Sequence, residues 1–167
     1  MGTVPDNEVC GQMGGEWFSW GIGADMPVDQ AADDKHSLCF DLPVGASGEV
    51  AGTGISVRGT PTLRLVLADE TAARALTART SGLDCLVARL CVVDETGASR
   101  LAALGAVSLT LAEAIVDTRV GARYDSPPLA KLELDLHFCA FSIQPGQTLR
   151  LALSSSYFPL FLAAGVS

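Results

Sequence analysis

The sequence predicts an all-β fold, a β-sandwich or jelly roll, on three observations. First, short stretches alternate apolar and polar residues, as in Leu132-Glu133-Leu134-Asp135-Leu136. Period two over such a stretch marks a strand with one buried and one wet face. Second, these stretches recur along the chain with glycine- and proline-rich turns between them, the rhythm of sandwiches and barrels. Third, 49% of the 167 residues are hydrophobic and 18% are charged. That is the composition of a folded domain with a large core, not of a disordered chain. A chain of this length buries roughly 68–70% of its unfolded surface.

Residues 1–36 read as an arm and residues 37–167 as the sandwich domain. Gly11, Gly14, Gly15, Gly21 and Gly23 disfavour a regular helix in the arm. Trp17, Phe18 and Trp20 are too bulky and apolar for a free linker. The arm is expected to be extended and pinned to a surface by these rings. It either closes the domain's own core or docks on another domain.

The strands follow in order. Residues 37–41 form a short one, ended by Leu42-Pro43. Within 45–59 the sequence offers an edge near Glu49 and Val50 and a strand near residues 55–58. Thr60-Pro61 opens a strand over 62–68, where a proline at the entrance has no ladder donor to lose. Residues 69–80 change period: Asp69 suits an N-cap, Glu70 the first turn, and Ala72, Ala73 and Leu76 a helix. A short helical excursion is expected there. In residues 83–93, Leu86, Ala88, Leu90 and Val92 share one face, and Cys85, Val87, Arg89, Cys91 and Val93 the other. Both faces are largely apolar, so this strand belongs at the centre of a sheet.

Asp94-Glu95-Thr96-Gly97 is a hairpin turn. Residues 99–117 fit a helix or a strand pair, and Gly105 with the β-prone run from Val107 to Leu111 favours the pair. Residues 119–128 are loop. Residues 132–159 hold two long strands flanking the corner Gln144-Pro145-Gly146-Gln147, with Leu132, Leu134, Leu136 and Phe138 on one face. This pair is expected in the middle of the sandwich. Because Tyr157-Phe158-Pro159 lies near the end of the sequence, its outer edge is expected to be open.

The same residues restrict function. Net charge is −8 with only eleven basic residues, which excludes a nucleic-acid face and disfavours an anionic membrane surface. No run approaches the length of a membrane span, and the N-terminus lacks a basic head and apolar run, so no signal peptide is expected. Cys10, Cys39, Cys85, Cys91 and Cys139 form no Cys-x-x-Cys pair. They read as free buried thiols in a reducing, cytoplasmic setting.

Neither Gly45-Ala46-Ser47-Gly48 nor the stretch from Gly54 to Gly59 has the spacing of a nucleophile elbow. The two histidines, His36 and His137, read as solvated, one in a loop beside Asp33 and Asp34 and one on the wet face of a strand. Cys85 and Cys91 share a strand face but stand ~20 Å apart, and His137 and Cys139 share one ~7 Å apart without further ligands. Asp25, Asp29, Asp33 and Asp34 form an acidic loop conceivable for calcium, but the spacing matches no EF-hand, and a solvated loop is the plainer reading. No phosphate cradle is present. No catalytic, cofactor or metal residue is assigned. Trp17, Phe18, Trp20 and Tyr157 remain as candidate contacts to a ligand or a neighbouring domain.

An ordered set of segments resembles a known family. It runs through Gly59-Thr60-Pro61 with its alternating leucines, then Val87 to Ser99, then Phe141 with Pro145-Gly146, then Leu149 to Pro159. With the entry segment from Gly15 to Asp41, this resembles the C-terminal non-catalytic domain of the X-Pro dipeptidyl-peptidase and cocaine-esterase-like hydrolases, the CocE/NonD group. The resemblance covers most of residues 11–160. The family's Gly-His-Arg is Gly146-Gln147-Thr148 here, its Asp-Gln-Arg is Asp29-Gln30-Ala31, and its last strand would follow Pro159.

The resemblance implies a galactose-binding-domain-like jelly roll. It implies serine-dependent acyl transfer whose nucleophile, base and acid sit on a separate α/β-hydrolase domain. This chain would then be an accessory: it packs on that domain, shapes the active-site entrance and supports homo-oligomer contacts. A carbohydrate-binding module using Trp17, Trp20 and Tyr157 is the alternative, and an enzyme acting through His137 a third reading.

Overall fold

A computed structural model describes residues 10–15, 26–44, 54–67, 85–108 and 130–161. Its organising strand is β4, Cys85–Val93, the one with two apolar faces. The other described strands are β1 (Leu38–Pro43), β2 (Ile55–Gly59), β3 (Thr62–Leu67), β5 (Ser99–Ser108), β6 (Ala130–Asp135), β7 (Cys139–Ile143) and β8 (Thr148–Ser154). β4 lies between β8 and β5 in an antiparallel sheet of order β1-β8-β4-β5. The central placement expected from its sequence is therefore observed. β4 and β5 are joined by the expected hairpin. Asp94 Oδ1 accepts from the Thr96 and Ala98 N–H groups at 2.8 and 3.1 Å, and Gly97 takes φ 88°.

One face of this sheet meets a ribbon. β2 pairs with β7 and β3 with β6, both antiparallel, along the same two chain segments. Gly59 stands opposite Cys139 and Thr62 opposite Asp135, so Thr60 and Pro61 face three residues, Leu136, His137 and Phe138. One extra residue on one strand is a β-bulge, and it shifts the alternation by one. Leu134 and Leu136 point inward before it; Cys139 and Ile143 do so after it. Phe138, which unbroken alternation would bury, is 70% exposed. The single long strand expected over this stretch is thus two, β6 and β7. The bulge is held by Leu136 N–H to Pro61 O at 2.9 Å and His137 N–H to Leu104 O at 2.8 Å.

Sheet and ribbon share one core. Leu86 and Ala88 of β4, Ala103 of β5 and Leu153 of β8 pack with Leu134, Leu136 and Cys139, and Leu63, Leu65 and Val57 close around them. The outer face of the β3–β6 pair carries polar partners. Arg64 Nε donates to Glu133 Oε1 at 2.8 Å and Thr62 Oγ1 to Asp135 Oδ1 at 2.7 Å.

One further expectation is corrected. β7 and β8 flank the expected corner, but they are not partners. The turn at 144–147, with Gln147 N–H to Gln144 O at 3.0 Å and Gly146 at φ 88°, carries the chain from ribbon to sheet. β8 is an inner strand, and β1 is the outer one. Over residues 99–108 the chain is strand and not helix, one ten-residue strand that runs through Gly105; residues 109–117, the rest of the expected pair, lie outside the described residues. A Cβ at Gly105 would come within 2.7 Å of Leu136 Cδ2 and 2.9 Å of Asp135 O. The glycine permits close approach of the ribbon, and the strand continues through it.

Among the described residues the one helix is α1, Ala31–Asp34, in the arm. The excursion near 69–80, the edge near Glu49 and Val50 and the loop at 119–128 lie outside the described residues.

Leu153→Ala lowers the unfolding free energy by about 2–5 kcal/mol through the cavity it opens. Gly105→Ala lowers it by about 1–3 kcal/mol through overpacking. Gly97→Ala, whose added methyl meets nothing within 4 Å, costs about 1 kcal/mol of backbone strain. Urea unfolding of the three variants checks this order.

Candidate functional site

The sheet's second face carries the polar residues. The strand register places Cys39, Ala152 and Arg89 in one row across β1, β8 and β4, and Asp41, Arg150 and Cys91 in the next. Ala152 has no side chain beyond Cβ, so space is left above β8. Over this face lie residues 10–15 and 26–36 of the arm, Ser37 and the turn at 157–161. Cys10 and Tyr157 bury against Val87 and Leu104. Phe158 N–H donates to Cys10 O at 3.0 Å. Gly11, at φ 110°, fits where any Cβ would strike the Phe158 backbone.

Arg89 is fully buried under the arm. Its Nη2 lies 3.1 Å from Asp34 Oδ1, an ion pair without hydrogen-bond alignment, and donates to Ser37 Oγ at 2.8 Å. Its Nη1 donates to Gln30 Oε1 at 3.1 Å. The Tyr157 hydroxyl donates to the same Gln30 oxygen at 2.6 Å, and the Arg89 guanidinium lies over the Tyr157 ring, 5.3 Å from its centroid. The Gln30 amide donates in turn to Met13 O and Val28 O, at 2.6 and 2.8 Å. One side chain therefore ties two parts of the arm to β4 and the C-terminal turn.

Asp34 has a second partner. Arg150 Nη1 sits 3.1 Å from Asp34 Oδ2, while its Nε and Nη2 grip Asp41 at 2.7 Å each. Two guanidinium groups and two carboxylates balance across α1, β1, β4 and β8. The bidentate grip is the stronger geometry for such a pair.

The surroundings shift the titrating groups. Hydrogen bonding from Arg150 lowers the Asp41 carboxyl below its ordinary range. Burial pushes the Cys91 thiol up to about 12 and raises the Tyr157 hydroxyl and the Cys39 thiol. Burial works against the Arg89 charge, but the groups around it, the ion-paired Asp34 among them, hold the guanidinium above its ordinary range. Each shift moves its group away from proton exchange at neutral pH.

The candidates named from the sequence fall as follows. Trp17, Phe18, Trp20 and Asp25 lie outside the described residues. Tyr157, expected as a contact to a ligand or neighbouring domain, is wholly buried, with its hydroxyl on Gln30. The acidic loop is not a solvated one. Asp29 Oδ1 accepts from the Ser99 and Ala31 N–H groups at 2.7 and 3.0 Å, Asp33 Oδ2 accepts from Met13 N–H at 3.1 Å, and Asp34 is paired as above. Asp33 and Asp34 are buried. His36 and His137 are exposed. The bulge separates His137 from Cys139, which is buried with its thiol toward Gly59 O at 3.5 Å. All five cysteines are free. Among the described residues no group of three or more His, Cys, Asp or Glu side chains is placed to hold a metal ion, and no helix is long and apolar enough to cross a membrane. A groove of about 440 Å³ is lined by residues 27–29, Val92, Asp94, residues 98–100 and Gln147.

The residues that reading the sequence missed are Arg89, Arg150 and Gln30. A signal for the first existed: a lone arginine in a central apolar strand must find an acid, and Asp33-Asp34 was the unassigned acidic pair.

No family model matches the chain, and no curated protein matches it. Two crystal structures of a CocE/NonD family hydrolase from Staphylococcus aureus are similar to it. Each is 13% identical, with TM-scores of 0.49 and 0.48, and each match covers 83% of this chain and 26% of the hydrolase. The chain thus spans about a quarter of that hydrolase's length.

Replacing Arg89 with methionine strands the buried Asp34 and lowers stability by about 3–5 kcal/mol. Tyr157→Phe, which leaves Gln30 Oε1 its bond from Arg89, costs about 0.5–1.5 kcal/mol. Chemical denaturation separates the two.

Asp41 supplies the pH dependence. Its folded pKa lies below the ordinary value near 3.9. Its contribution is therefore fully present above about pH 4 and is lost as pH falls through the lowered folded value. The stability difference between the native chain and Asp41→Asn is expected to be flat from about pH 5 to 8 and to shrink below about pH 4. A gap that widens on acidification contradicts this.

Proposed function

We propose that this chain is the accessory, non-catalytic C-terminal domain of a CocE/NonD-like serine hydrolase, of X-Pro dipeptidyl-peptidase, esterase or acylase type. It is a jelly-roll sandwich of the galactose-binding-like class, and it packs on an α/β-hydrolase domain and shapes the entrance to its active site. A reducing, cytoplasmic setting suits its five free thiols. Homo-oligomer contacts through the domain belong to the same proposal.

The observation that carries this reading is where the resembling segments sit. Gly59-Thr60-Pro61 is the corner opposite the bulge. Val87 to Ser99 spans β4, the hairpin and the start of β5, and includes Arg89. Pro145-Gly146 is the turn from ribbon to sheet, and Leu149 to Pro159 is β8 with the turn that meets the arm. Asp29-Gln30 anchors the arm on Ser99, Arg89 and Tyr157. The segments that resemble the family are those that build the fold and place the arm.

The departures are absorbed locally. Gln147 Oε1 accepts from Gln144 N–H at 2.8 Å, Thr148 pairs with Val93 and Pro43, and Ala31 opens α1. Acyl transfer needs a nucleophile, a base that takes its proton and a group that orients the base. In this reading all three come from the partner domain. The buried polar groups of this chain support it, since they are engaged in holding the arm.

The test mixes the purified chain with the α/β-hydrolase domain encoded in the same or an adjacent reading frame. The two are expected to co-elute as one complex, and hydrolysis of an X-Pro anilide or an acyl ester is expected to rise above that of the α/β domain alone. The chain alone gives the background rate. Hydrolysis by the chain alone that disappears in His137→Ala overturns the proposal. Glycan binding lost in Trp17→Ala and Trp20→Ala replaces it with a carbohydrate-binding module.

A further inference from the structure

We draw no further inference here: the strongest candidate, the apolar surface patch of Phe40 and Leu42 on the outer strand β1, 49% and 64% exposed, is a sheet face for which nothing among the described residues shows what covers it.

Discussion

The fully buried guanidinium of Arg89 is the constraint on which the arm's placement depends. A cation at the centre of a sheet loses several kcal/mol of hydration, and only a close counter-charge and further hydrogen bonds return it. Asp34, Gln30 and Ser37 provide these, the first two from the arm and the third from the residue that follows it. The arm therefore has one position over the sheet in which Arg89 is satisfied. Asp34 is shared with Arg150, and Arg150 with Asp41. The requirement set by one side chain thus extends to β8 and to the outer strand β1.

The pair is not a device for stability alone. Replacing a buried ion pair by apolar groups of similar volume is often neutral or stabilising. Here the geometry is also imperfect: the Arg89 Nη2 to Asp34 Oδ1 contact is misaligned, and Arg89 Nε has no hydrogen-bond partner. The apolar contacts of Cys10 and Tyr157 with Val87 and Leu104 favour burial of the arm and its neighbouring turn at any sliding position that keeps oil against oil. Directional bonds from Gln30, Asp29 and Asp34 select one position among these. We read the seam as positional, with hydrophobic burial as its driving force.

How far this was legible from sequence depends on the range of the interaction. The strands, the hairpin at 94–97 and the turn at 144–147 follow from short-range rules, because alternation and turn chemistry act over a few residues. The ribbon's bulge does not, because Leu136-His137-Phe138 continues the alternation that the structure breaks. Its cause is the chain opposite, where two residues span the gap that three must fill. The seam is further out of reach. Gln30 meets Arg89 and Tyr157, 59 and 127 positions away, and Asp34 meets Arg150, 116 positions away. Local rules expose charged residues by default, which is why Asp33-Asp34 reads as a wet loop. The exposed aromatic expected at Tyr157 fails for the same reason: the arm that covers it lies far away in sequence.

The chemistry of the seam also bears on where function can lie. A general acid or base works with a pKa near the operating pH and within reach of a substrate proton. The seam runs the other way on both counts. The Cys91 thiol is held near 12 and the Tyr157 hydroxyl above its usual value, both chiefly by burial, while Asp41 is held low by Arg150. The groups are locked into their neutral or charged forms at neutral pH, and most of them are closed to solvent. The strand order compounds this. Among the described residues β4 and β8 are flanked by strands on both sides, with the ribbon on one face and the arm on the other. A sheet whose inner polar residues are committed to its own arm offers a partner its rims and outer surfaces.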